Sequence, residues 1–114
     1  MENCLFCEIV SGAIPSAKVY ENDHVLAFDD IHPMAPVHVI AVPKRHIPTL
    51  MDIGTGDADV IAAMIAAAQE IARIKGVAER GFRTVINCDA EGGQVIFHLH
   101  MHVIGGRNLA DNLG

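Results

Sequence analysis

The 114-residue chain has no tryptophan, one tyrosine and four phenylalanines, so aromatics make up 4% of it against 51% hydrophobic residues. Its core must be aliphatic. Basic side chains are scarce as well: eight Lys and Arg stand against fourteen Asp and Glu, a net charge of −6 with His neutral. The densest basic stretch is "PKR" at 43–45, too short for a nucleic-acid footprint. That argues against polymer binding, while a small phosphate ester held by backbone amides stays open. Long apolar runs are missing too; "VIAAMIAAA" at 60–68 falls far short of a membrane span. "MENCLFCEIV" has no basic region leading into an apolar stretch, so no secretory signal is expected. Three cysteines, an odd number, suit a reducing cytosol, where a Cys-x-x-Cys pair marks metal or redox chemistry more often than a structural disulfide. One domain over residues 1–114 is expected, long enough for a single core.

No repeat, linker or low-complexity tract interrupts the chain. Asn3 is placed to cap a short helix over "LFCEIVSG", closed by Gly12 and Pro15. "AKVYE" and "HVLAFDDI" read as a hairpin around "END", and "HPMAP" as a loop. "VHVIAVP" reads as a strand that Pro43 stops. From Asp57 to Lys75, Val60, Ile61, Met64, Ile65, Ala68, Ile71 and Ala72 recur at helical spacing. Thr55 or Asp57 would cap the start, and Lys75-Gly76 signals the end. "FRTVINC" and "IFHLHMHVIG", joined by "DAEGG", are the last strands. The expectation is an α+β domain with a five-stranded antiparallel sheet, one long helix and one short.

The segment "VIFHLHMHVIGG" at 95–106 sets His98, His100 and His102 at alternate positions. On a strand they share one face, roughly 6–7 Å apart, and Leu99, Met101 and Val103 take the other, beneath the helix. The histidine face must then meet solvent, metal or ligand. Either the imidazoles share a metal, or one is a nucleophile and another an acid-base group. The preceding "NCDAEGGQ" favours the second reading, because Asn87 and glycines Gly92 and Gly93 could present amides to a phosphate. "CLFC" offers two thiols, for which zinc would need two further ligands; two free packed thiols are the alternative. Thioredoxin-type chemistry is disfavoured, since no βαβ pattern follows.

Taken together, "HLHMHVI", "FDDIHPMAPVHVIAVPKRHI", "NCDAEGGQ" and "HVIGGR" resemble the histidine-triad superfamily, in its Hint-like purine nucleoside phosphoramidase branch, from about residue 3 to 107. The resemblance implies a hydrolase of purine nucleotide phosphoramidates that works through a nucleotidyl-histidine, with no catalytic metal. His100 would be the nucleophile, His102 the residue touching phosphate and assisting protonation of the leaving amine, and His38 a residue behind the triad that relays protons or simply packs. Asn87 and Gly93 would hold phosphate oxygens, Asp30 the ribose hydroxyls, and Phe6, Ile9, Phe28 and Ile31 the purine. In zinc-bearing relatives two such cysteines join a distal histidine and the first triad histidine, which maps a structural zinc to Cys4, Cys7, His46 and His98. Cys88, His24 and His32 are left as incidental. Relatives pair into two-fold dimers, and a cytoplasmic homodimer acting on a small purine nucleotide, without nucleic acid or membrane, is the expectation. Two departures stand out: Val95 occupies a position where much of the branch has Ser, and the tail "NLADNLG" lacks a bulky aromatic end. Dinucleoside polyphosphate hydrolysis, or nucleotide or metal binding with little turnover, are the alternatives.

Overall fold

The computed structural model describes residues 4–111. Its strands are β1 (Lys18–Glu21), β2 (Val25–Asp29), β3 (Val37–Pro43), β4 (Phe82–Val85) and β5 (Met101–Gly105), and its helices are α1 (Leu5–Ser11) and α2 (Ala58–Ile74). Every neighbouring pair is antiparallel, in the order β1-β2-β3-β5-β4. This is the expected five-stranded α+β architecture. Pro43 does terminate β3, and β1 and β2 form the expected hairpin.

Both faces of the sheet are covered, and the alternation of side chains along each strand supplies both covers. Val25 and Ala27 of β2, Val39 and Ala41 of β3, and Leu99, Met101 and Val103 pack with Val60, Met64, Ala67, Ala68 and Ile71 of α2. On the opposite face Leu26 and Phe28, with Ile40 and Val42, enclose Phe6 of α1. The apolar stripe of α2 is narrower than the periodicity predicts. Ile65 is 54% exposed and Ile61 half-buried, while Ala67, outside the predicted set, is fully buried. Small alanines at 67 and 68 let the helix lie close to the sheet, and Ile65 is left on its flank.

Two local expectations are corrected, and a third, the cap at Asn3, lies outside the described residues; the N-cap of α1 is Cys4, whose Sγ accepts from the Cys7 N–H. Gly12, at φ 86°, ends the helix as expected. Asp57 occupies the N-cap of α2 but turns its carboxylate to the Gly54 N–H and to Arg45 instead. The most consequential concerns the histidine strand, which pairs only over Met101–Gly105. Beyond Ala41↔Met101 the ladder stops, because Pro43 has no N–H and its carbonyl is taken by the His98 ring. His98 and His100 thus sit on extended chain just ahead of the strand, held by the Leu99 N–H to Ile47 carbonyl bond.

Candidate active site and metal centre

Of the solvent, metal or ligand that the histidine face is expected to meet, solvent is largely shut out at His98 and His100. His98 is fully buried and His100 is 8% exposed, with the ring of Phe6 edge-on to both at centroid distances of 5.9 and 5.0 Å. Helix α1 has closed over them. For buried imidazoles the position of each proton follows from the partner of each nitrogen.

His98 donates its Nε2 proton to the Pro43 carbonyl at 2.8 Å. Its Nδ1 lone pair is then free, and it points at Cys4 Sγ, 3.3 Å away, and Cys7 Sγ, 3.5 Å away. Cys7 Sγ also lies 3.3 Å from His46 Nδ1. These four donor atoms all fall within 4.8 Å of one another. With zinc–sulfur bonds of about 2.3 Å and zinc–nitrogen bonds of about 2.0 Å, the sulfur-to-nitrogen edge of a tetrahedron is about 3.5 Å. The two thiols and two imidazoles therefore fit a tetrahedral ion in donor type, number and spacing. Burial, followed by the adjacent Cys4 thiol, pushes the Cys7 thiol up to about 11, so it keeps its proton until a cation displaces it. Burial likewise lowers the proton affinity of His98, against the opposing pull of the Pro43 carbonyl, which leaves Nδ1 free to ligate.

His100 uses the opposite nitrogen. Its Nδ1 proton goes to the carbonyl of His98 at 2.8 Å, so the lone pair is on Nε2. That is the tautomer a nucleophile requires. His102, on β5, stands with its ring 5.1 Å from that of His100. In the sheet register His102 faces Ile40 and His38 faces Ile104, which makes the two histidines diagonal neighbours. His38 Nε2 meets His102 Nδ1 at 2.8 Å, and Asp30 Oδ2 lies 3.3 Å from the same His38 atom. Burial first, then the neighbouring His100 and His38, hold His102 down to about 4, with Asp30 acting weakly the other way.

Asp30, His38 and His102 also bring three donor atoms within 4.8 Å. They are poorly suited to a metal. His38 Nδ1 accepts the Met34 N–H at 3.0 Å, so a neutral His38 must carry its proton on Nε2, the atom a metal would need. The same test that admits the cysteine cluster rejects this one.

The remaining predicted residues are gathered less evenly. Asn87 Nδ2 donates to the Gly92 carbonyl at 2.6 Å, and the Gly93 N–H to Ala90 at 3.1 Å, so both shape their loop from within. Gly93 needs its positive φ of 85°, and a Cβ there would touch Asn87 Nδ2 at 3.6 Å. Asp30 accepts the His32 N–H through Oδ1. Phe6 and Phe28 are buried with rings 5.7 Å apart, Ile9 is half-buried beside them, and Ile31 is 86% exposed. Asp29 pairs with Lys75 at 2.9 Å. Val95 is 86% exposed. Sequence reasoning missed Gln94, which is buried and binds the Asp89 N–H and the carbonyls of Pro48 and Ile96, pinning the loop to the chain before α2. A glutamine following two glycines was its only signal.

The HIT domain family model matches residues 11–109. A purine nucleoside phosphoramidase of Escherichia coli (strain K12) is 41% identical over 112 residues, spanning 98% of this chain and 94% of that protein. The crystal structure of a HIT family hydrolase from Legionella pneumophila Philadelphia 1 superposes with a TM-score of 0.95 at 41% identity, covering 98% of this chain and all of that one. A HIT family hydrolase from Clostridium thermocellum gives 0.96 at 40% identity, over 99% and 98% of the two chains.

Proposed function

The chain belongs to the HIT domain family, and from that premise we propose that it hydrolyses purine nucleotide phosphoramidates of the AMP-amine type through a nucleotidyl-His100 intermediate. One observation carries the reading: the His98 carbonyl takes the Nδ1 proton of His100 and leaves Nε2 as a free lone pair beside His102. In the first step His100 Nε2 bonds to the α-phosphorus, the phosphorus–amine bond breaks, and the amine departs with that electron pair and takes up a proton. Water then releases the nucleotide. The His102 Nε2–H is a neutral donor for the phosphoryl oxygens or the leaving nitrogen, a stabilisation that needs no catalytic metal. Asn87 and the Gly93 backbone bind phosphate once the nucleotide enters, Asp30 takes the ribose hydroxyls, and Phe6, Ile9, Phe28 and Ile31 border the purine. Zinc in the cysteine cluster is structural: Cys4, Cys7 and His46 would fasten α1 to His98.

The 41% identity with a protein named for this reaction supports the substrate class. We assign the active form to a homodimer in the cytoplasm; the edge position of β4 and the exposure of Ile65 and Ile74 on α2 and of Phe82 on β4 support the pairing. Val95, exposed and without a hydroxyl, favours the second reading, a nucleotide-binding module with little turnover. A panel of adenosine phosphoramidate, AMP-lysine, GMP analogues and diadenosine polyphosphates tests the proposal. Turnover should be fastest with the AMP-amines; preference for the polyphosphates, or AMP binding without turnover of any of them, contradicts it.

A further inference from the structure

We propose that His38 is a positioning residue that locks His102 in its neutral Nε2–H tautomer, on instruction from the backbone N–H of Met34. The proposal rests on the reading of His102 as the donor that faces the phosphate.

The chain of constraints begins in the loop before β3. Met34 N–H donates to His38 Nδ1 at 3.0 Å, so that nitrogen has no room for a proton. The His38 side chain is only 4% exposed, so water has little access to replace this partner. Its one proton is therefore on Nε2, whose nearer acceptor is His102 Nδ1 at 2.8 Å rather than Asp30 Oδ2 at 3.3 Å. His102 Nδ1 accepts, and its own proton must sit on Nε2. The loop that supplies the Met34 N–H is itself held at several points. Arg107 Nη2 donates to the Met34 carbonyl at 3.1 Å, His32 N–H to Asp30 Oδ1 at 2.8 Å, and Asp30 N–H to the His38 carbonyl at 3.0 Å. Gly106 presses against the same loop so closely that a Cβ there would fall 2.9 Å from Pro36 Cβ.

Counting protons separates a lock from a relay. Two rings share two protons, and a third on His102 Nδ1 would confront the His38 Nε2–H across 2.8 Å. If instead His102 gave up its Nε2 proton and drew on His38, the latter would keep none on either nitrogen, beside the Asp30 carboxylate. Neither state is accessible. The charged and titratable groups facing His102 are Asp30, His38 and His100, and their net effect with burial is to keep it neutral. The amine then takes its proton from water, and the hydroxyl that water leaves ends on phosphorus when the intermediate is hydrolysed, so one water balances the cycle. The expectation that His38 relays protons gives way to a fixed donor.

The test compares His38→Gln with His38→Leu. The glutamine amide offers an N–H near the place of Nε2 but cannot pass a proton on; leucine offers nothing. Long-range proton–nitrogen NMR of histidine-labelled protein reads the tautomers without substrate, and kcat is measured on an AMP-amine. Wild-type His38 and His102 should both be Nε2–H, and H38Q should keep that signature for His102 with kcat within about threefold of wild type. H38L should mix the two His102 tautomers and lose about tenfold or more, on the order of one hydrogen bond to a developing charge. A proton on His102 Nδ1 in wild type overturns the lock. So does an H38Q protein that retains the His102 signature yet is as slow as H38L. Should the protein lack phosphoramidase activity altogether, the spectra of wild type and variants still decide.

Discussion

His100 and His102 are alternate histidines of one segment, yet their partners differ: the His98 carbonyl leaves His100 with a bare Nε2, and the proposed lock makes His102 an Nε2–H. Exchanging their roles is not chemically neutral, so His100→Ala should lower turnover by roughly a thousandfold or more while the fold and AMP affinity persist. Steady-state rates with equilibrium binding check this. At Val95 the expectation concerns the leaving group. A hydroxyl at this exposed position, where the resemblance puts Ser, would add a hydrogen bond to a charged centre, worth about 1.5–3 kcal/mol, so Val95→Ser should speed release of basic amines by about tenfold and acidic leaving groups less. Equal rates across a series of amines would show that water already suffices. His102 also carries a stability consequence. Its proton affinity in the fold, near 4, is below the ordinary imidazole value of about 6.5, so the unfolded chain takes up the proton first. Its contribution to stability is full above about pH 6.5 and is lost as the pH falls toward 4. Urea midpoints across that window should fall with acid, and His102→Gln should flatten the slope.

The segment 95–106 shows what periodicity reveals about an element and where it stops. That Leu99, Met101 and Val103 would share the core beneath α2 was readable from alternation, and it holds even where strand pairing has ended. That pairing would stop at Met101 was not readable. It depends on which strand carries Pro43 and on that residue's carbonyl being claimed by a histidine fifty-five positions away. The same holds for the burial of the histidines, since a short helix gives no sequence signal of which sheet face it will cover. Thiols and histidines could be matched to a metal set by resemblance, whereas the Met34 N–H and the Pro43 carbonyl belong to the backbone, whose placement no side-chain pattern encodes. Helix α1 is held by the burial of Phe6 and, in the proposed zinc-bound form, by the cysteine cluster as well. Cys4→Ser with Cys7→Ser should therefore lower Tm by roughly 10 °C or more in protein purified without chelator. Because the His98 carbonyl orients His100, activity should fall as well, though far less than in His100→Ala. Metal analysis showing no zinc, with both thiols freely titratable in native protein, would return the cysteines to packing.

At the scale of the molecule, the proposed function puts two chemistries at one strand end, a metal cluster at His98 and the proposed nucleophile and donor at His100 and His102. Helix α2 and its aliphatic layer cover the face on which Leu99, Met101 and Val103 are buried. The proposed two-fold dimer predicts that light scattering after size exclusion returns twice the monomer mass of 12.2 kDa. The account as a whole turns on a single covalent bond between phosphorus and His100 Nε2. Rapid-quench mass spectrometry of wild-type protein mixed with an adenosine phosphoramidate measures it directly. The account predicts a transient nucleotidyl adduct within the peptide 95–106, mapped to His100 and absent from His100→Ala. An adduct on His102, or steady turnover with no adduct at any quench time, would contradict it.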